Sequence, residues 1–228
     1  MLNAELWVMI MSKKDAEYSH ALHFEIFTSL YDPVVAWTCR EKTFKRALIR
    51  QADLSPGQRV LDLGCGTCTL TLMIREAYPG LDITGLDGDE RVLSIATKKA
   101  AKAGAELQLD LGLSYEMPYE DDSFDRVVSS YLFHHLTSEN KRRTLSEVLR
   151  VLKPGGELHV ADWGKPPNFL LRLGFYVVQL LDGFKITTDS VQGKLPAYMV
   201  DAGFDGVEET GHIPTPLGSV SLYRSAKP

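Results

Sequence analysis

The chain has 228 residues, 24% of them charged, and its 25 Lys and Arg against 30 Asp and Glu give a formal net charge of −5. That length suits a single domain with a core large enough to stand without staples. The acidic balance supplies no global positive field for gathering phosphates, so it argues against nucleic acid as a partner and for a small molecule.

Three cysteines, Cys39, Cys65 and Cys68, are too few and too unevenly spaced for a disulfide framework, and they suit a reducing, cytoplasmic setting. The apolar start MLNAELWVMIM has no basic n-region or small-residue cleavage site and is too short to span a bilayer, so no transmembrane segment is expected there. Residues 16 to 52 carry Leu22, Ile26, Phe27 and Leu30, then Phe44, Ala47 and Leu48, at helical spacing on either side of a Tyr31-Asp32-Pro33 break.

Strand and helix then alternate. Strands are predicted at 59–63, 82–87, 106–111, 124–130 and 157–162, and helices near 68–78, 89–103 and 138–152, the last capped by Ser138 and stopped at Lys153-Pro154-Gly155-Gly156. This order predicts an α/β fold with a parallel sheet covered on both faces. Residues 169 to 181, FLLRLGFYVVQLL, are apolar almost all round and predict a buried or interface helix. The C-terminal stretch reads as a helix end and two strands joined by a Gly- and Pro-rich connection.

Residues 60 to 72, VLDLGCGTCTLTL, hold the chemistry-bearing turn. In an open parallel sheet a Gly-rich first turn lets backbone approach a ligand, and Gly64 and Gly66 stand in it. A dinucleotide fingerprint needs a third glycine where this chain has Thr69, so the nicotinamide pattern fails. Asp87, at the end of the next strand, is placed to hold ribose hydroxyls, which points to a nucleoside without phosphates. The Cys65-Gly-Thr-Cys68 spacing admits a redox pair or a zinc half-site, yet no second Cys or His cluster completes four ligands, and no metal centre is expected.

Four ordered segments, VLDLGCGT, GLDGDERVLSIA, MPYEDDSFDRVVSSYLFHHL and VLKPGGELHVADW, resemble the successive motifs of class I S-adenosylmethionine-dependent methyltransferases, and within them the ubiquinone/menaquinone C-methyltransferase-like branch. The resemblance implies a Rossmann-like, doubly wound, mostly parallel seven-stranded sheet with an antiparallel C-terminal hairpin and N-terminal lid helices. It divides the single domain into a lid at 1–54, a cofactor-binding core at 55–162 and a substrate side at 163–228. It also implies S-adenosylmethionine as cofactor. Asp62, Gly64, Cys65 and Gly66 would shape the turn around the methionyl part, and Asp87 with Gly88 would take the ribose. Leu113 and Ser114 would lie by the adenine, Ser130 at the sulfonium end, and Tyr31 would reach in from the lid. Cys68 departs from the family's usual glycine, and Leu113 from its usual Asp.

If the methyl acceptor carries a removable proton, a base belongs in the segment after the fourth strand. His135 is the first candidate and His134 the second, with Asp162 fixing a tautomer or acting as base itself. His20, His23, His159 and His212 read as ordinary surface or sheet residues, and Asp125 as a loop support. Aromatic residues such as Trp37, Trp163, Phe169 and Phe175 favour an apolar acceptor. A binding protein without catalysis and a methyltransferase acting on a macromolecule stay open as alternatives. So do a monomer and a homodimer.

Overall fold

The structure is a computed structural model that describes residues 40–228. The expected helices before residue 40, and Tyr31 with them, lie outside the described residues.

Helix α1 (Glu41–Ala52) leads into β1 (Arg59–Leu63), α2 (Thr69–Ala77), β2 (Asp82–Asp87), α3 (Glu90–Lys102) and β3 (Gln108–Leu111). Then come β4 (Phe124–Ser130), a short 3₁₀ turn (Phe133–His135), α4 (Ser138–Val151) and β5 (Leu152–Trp163). Helices α5 (Phe169–Asp182), α6 (Phe184–Gln192) and α7 (Leu195–Ala202) precede β6 (Asp205–Thr215) and β7 (Gly218–Ala226). The seven strands form one sheet in the order β3-β2-β1-β4-β5-β7-β6, parallel from β1 to β5 and antiparallel at β7 and β6. The expected sheet and C-terminal hairpin are both present.

The apolar runs explain the layers. Val60 packs into one core with Phe44, Leu70 and Ile74, while its neighbour Leu61 packs into the other with Leu145, Val148 and Leu158. Val127 and Val128 divide in the same way, because successive strand residues point to opposite faces. Each fully buried Leu or Val contributes about 1.5–3 kcal/mol of burial energy, and both faces of these strands collect it.

Three local readings change. Thr137, not Ser138, caps α4 by accepting from the Asn140 N–H at 3.2 Å, and the Ser138 hydroxyl instead donates to Asp189 at 2.6 Å. The Lys153–Gly156 stretch belongs to β5, which starts at Leu152. Helix α5 is not buried all round: Phe175, Val178 and Gln179 face the core, and most of its other apolar side chains meet solvent.

Strand order reverses between β1 and β4, so the crevice beyond their carboxyl ends is the fold's natural ligand position. Leu63, Asp87, Ser130 and Trp163 end the strands along that edge.

Candidate active site

The turn after β1 is stitched to the end of β2. The N–H groups of Gly64 and Cys65 both donate to the Leu86 carbonyl, at 2.8 and 3.0 Å. Gly64 sits at φ +71°, and a Cβ there would lie 2.9 Å from the Leu132 side chain, so glycine is required by both conformation and space. At Gly66, φ is +54° and a Cβ would meet nothing within 4 Å, which leaves open space over a bare stretch of backbone.

Asp87 joins three segments. One carboxylate oxygen accepts the Gly66 N–H at 2.8 Å and the other accepts the Asp89 N–H at 3.0 Å, while Asp89 caps α3 through the N–H groups of Arg91 and Val92. Burial pushes the Asp87 carboxyl up, and those two N–H bonds offset part of the effect. Each oxygen keeps a lone pair for a further donor.

Asp62 lies beneath the turn with no exposed surface. The Thr71 hydroxyl donates to its Oδ2 at 2.6 Å, and its Oδ1 has no hydrogen-bond partner. Burial raises its pKa to about 6 against the lowering influence of Thr71. A buried carboxylate oxygen without a partner fits a cationic donor such as the ammonium of a methionyl group.

The two cysteines behave as packing residues. Both are free and buried. Burial pushes the Cys65 thiol far up, with Asp62 adding to it, and also raises Cys68. A redox-active or metal-ligating cysteine needs the reverse shift. Cys68 holds a left-handed φ of +55° at the start of α2 and points its thiol at the Ala96 carbonyl, 3.3 Å away.

A shallow cleft opens beside the turn, and Gly64, Asp87, Gly88, Leu113 and Ser114 line it. Asp62, Cys65, Gly66 and Ser130 surround the same strand ends without lining it. Gly112, Tyr115, Leu132 and Leu136 also line it and were not singled out from the sequence, although Leu132 and Leu136 fall within the SSYLFHHL segment. Ser114 is held by Thr144, hydroxyl to hydroxyl at 2.9 Å.

At the ends of β4 and β5 the structure pairs Asp162 with His134, not with His135. Nδ1 of His134 is 2.7 Å from Asp162 Oδ1. Oδ2 of the same carboxylate accepts the N–H groups of Phe133 at 2.7 Å and His134 at 3.3 Å, and Oδ1 also accepts the Trp163 N–H at 2.7 Å. Burial opposes ionisation of Asp162, but the His134 charge and these bonds hold it below the usual carboxylate range. Burial likewise opposes the charge on His134, and Asp162 outweighs it, leaving the imidazole pKa raised.

His135 lies tilted beside His134 at a ring separation of 3.9 Å but is solvent-exposed. Desolvation of its ring, then the His134 charge, lowers its pKa, although the residue as a whole is exposed. Asp182, from the end of α5, approaches the other nitrogen of His134 at 3.9 Å. That is longer than a hydrogen bond. Nothing in the local sequence announces Asp182, which is brought there by the packing of α5. Tyr131, at φ +60°, stacks on Trp163 at 5.1 Å and meets Phe44 edge-on at 4.7 Å, forming an aromatic wall behind the pair. His159 is buried between Gln51 and Glu157, and Asp125 is bound to Lys153 and the Arg59 N–H.

Residues 60–156 match the family described as a methyltransferase domain. A ubiquinone/menaquinone biosynthesis C-methyltransferase from Pseudomonas fluorescens is 32% identical over 215 residues, covering 82% of this chain and 79% of that protein. A demethylmenaquinone methyltransferase from Symbiobacterium thermophilum is 32% identical over 62% of this chain and 59% of its own. Against three such demethylmenaquinone methyltransferases the chain spans between 54% and 59% of their length. Among solved structures, the S-adenosylmethionine-dependent methyltransferase SibL superposes with a TM-score of 0.73 at 22% identity, covering 92% of this chain and 62% of that one. At that identity the likeness is one of fold.

Proposed function

This chain belongs to the S-adenosylmethionine-dependent methyltransferases of the ubiquinone/menaquinone C-methyltransferase family, and from that premise we propose that it methylates a small, apolar, quinol-like acceptor. One observation carries the reading: the Asp87 carboxylate, bonded to the Gly66 N–H, and the hydrogen-bonded His134–Asp162 pair stand along the same strand-end edge.

S-adenosylmethionine supplies a methyl carbon on a sulfonium, with an uncharged thioether as leaving group. The chain's own residues then have two tasks, holding and deprotonating. Asp62 would take the methionyl ammonium, the Gly64–Gly66 backbone the space beside it, and Asp87 with Gly88 the ribose. Leu113 and Ser114 would flank the base, and Ser130 the sulfonium end. With Asp162 ionised, Nδ1 of His134 carries the proton and Nε2 offers a lone pair. His134 Nε2 would take the acceptor's hydroxyl proton, and Asp162 would hold the ring and stabilise the imidazolium. The leading base is then His134 and not His135, which lies beside it.

The core at 55–162 would bind cofactor, and 163–228, together with the N-terminal stretch, would shape the acceptor side. An isotopic methyl-transfer assay with a demethylated naphthoquinol, alongside calorimetry with S-adenosylmethionine and NAD, tests the reading. Binding of the first cofactor with methylated quinol as product is expected; binding of NAD alone would overturn it.

A further inference from the structure

Helix α5 is apolar on its solvent side as well as on its core side. Its inward side carries Phe175, Val178 and Gln179. Its outward side carries Phe169, Leu170, Leu173, Val177 and Leu180, and Phe184 at the start of α6 is exposed too. At 100° per residue the five positions on α5 share an arc of roughly 100°. Phe169, Leu170 and Leu180 are 73–76% exposed, the level of side chains standing free in water. Nothing among the described residues covers them.

Along residues 164–185 the exposed charges have one sign. Lys165 precedes the helix and Lys185 follows it, both exposed, and Arg172 lies on its flank with its guanidinium 4.0 Å over the Tyr176 ring. The one carboxylate of the helix, Asp182, turns inward toward His134. On a chain of net charge −5, this is a local cationic rim around an apolar strip.

We propose that the outward face of α5 and the start of α6 dock on the surface of a lipid bilayer bearing anionic headgroups. An interfacial helix combines an apolar face sunk at the acyl boundary with cations at headgroup level, which is the pattern here. No helix among the described residues is long and apolar enough to cross a membrane, so the geometry is one of lying on the surface. A second copy of the chain is the poorer occupant, because isologous antiparallel pairing of two α5 stripes sets Lys165 of each against Lys185 of the other. If the acceptor is apolar, a consequence that rests on the reading above, it can pass from the bilayer to His134 beside the end of the same helix. The docking itself needs no methyl transfer, so the two ideas fail separately.

Flotation of the full chain with phosphatidylcholine vesicles, with and without phosphatidylglycerol, tests it. Binding to the anionic vesicles is expected, and the double variant Leu173→Glu with Leu180→Glu should weaken it at least about tenfold. Lys165→Gln and Lys185→Gln should each reduce the preference for anionic vesicles about fivefold and leave the apolar contribution in place. Full-length protein that stays with the soluble fraction, as it would if another part of the chain covered the stripe, overturns the proposal. So does vesicle binding indifferent to all four substitutions. A dimer in sedimentation that the double variant splits assigns the stripe to a second copy and overturns it equally.

Discussion

Asp162 accepts the ring of His134 and the backbone N–H groups of Phe133, His134 and Trp163, so one buried carboxylate both orients the imidazole and fixes the loop that carries it. Exposed as it is, His135 has no such partner holding its ring. The two adjacent histidines are therefore unequal, and the inequality is measurable.

His134→Ala should lower kcat by roughly 10²-fold or more with little change in cofactor affinity, the usual worth of a general base. His135→Ala should cost much less. The base must be neutral to act, so turnover falls as pH drops through its pKa. Because Asp162 raises His134 above the ordinary imidazole value while His135 is lowered, the acid limb of the wild-type profile should lie above about pH 6.5. A limb far below that, surviving in His134→Ala, would return the role to His135 or remove it from the pair.

Asp87→Asn should weaken S-adenosylmethionine binding by about 10- to 150-fold, corresponding to about 1.5–3 kcal/mol for charge-assisted bonds. The substitution keeps the side chain's size but cannot accept from Gly66 and Asp89 with both atoms. Calorimetry on the folded variant reads the effect, and an unchanged dissociation constant would show that the ribose is held elsewhere.

Asp62→Asn should separate stability from binding. A carboxyl whose folded pKa, about 6, exceeds its ordinary 3.8 binds its proton more tightly when folded, so stability falls as pH rises from below 4 to above 6. At neutral pH this burial costs the unliganded fold on the order of 2–3 kcal/mol. The amide should raise Tm at pH 7 by about 4–10 °C, flatten that pH dependence, and weaken cofactor binding. A variant that melts lower and binds equally well would contradict both halves.

Cys68→Gly should leave cofactor binding and turnover intact. Glycine relieves a left-handed backbone that costs a side-chain-bearing residue about 1 kcal/mol, against the loss of a small packed thiol, so the change in Tm should be small. Loss of turnover with cofactor still bound would restore a thiol mechanism.

The boundaries of β1, β2 and β4, the Gly64–Gly66 turn and the place of Asp87 at a strand end were legible in the sequence. Strand periodicity, glycine at left-handed positions and an acid at a strand end are local requirements, written within a few residues of one another. Thr71 under Asp62 and Asp182 against His134 were not legible, since each meets its partner through helix packing and has no spacing rule. The same holds for which of two neighbouring histidines Asp162 would face: both have the same chemistry, and only the twist of the 3₁₀ turn after Tyr131 points one ring inward. The run FLLRLGFYVVQLL determined that α5 would form a helix but not how much of it would be covered. Composition records how apolar a surface is, and only the placement of β5, β7 and their neighbours decides which side of it they reach.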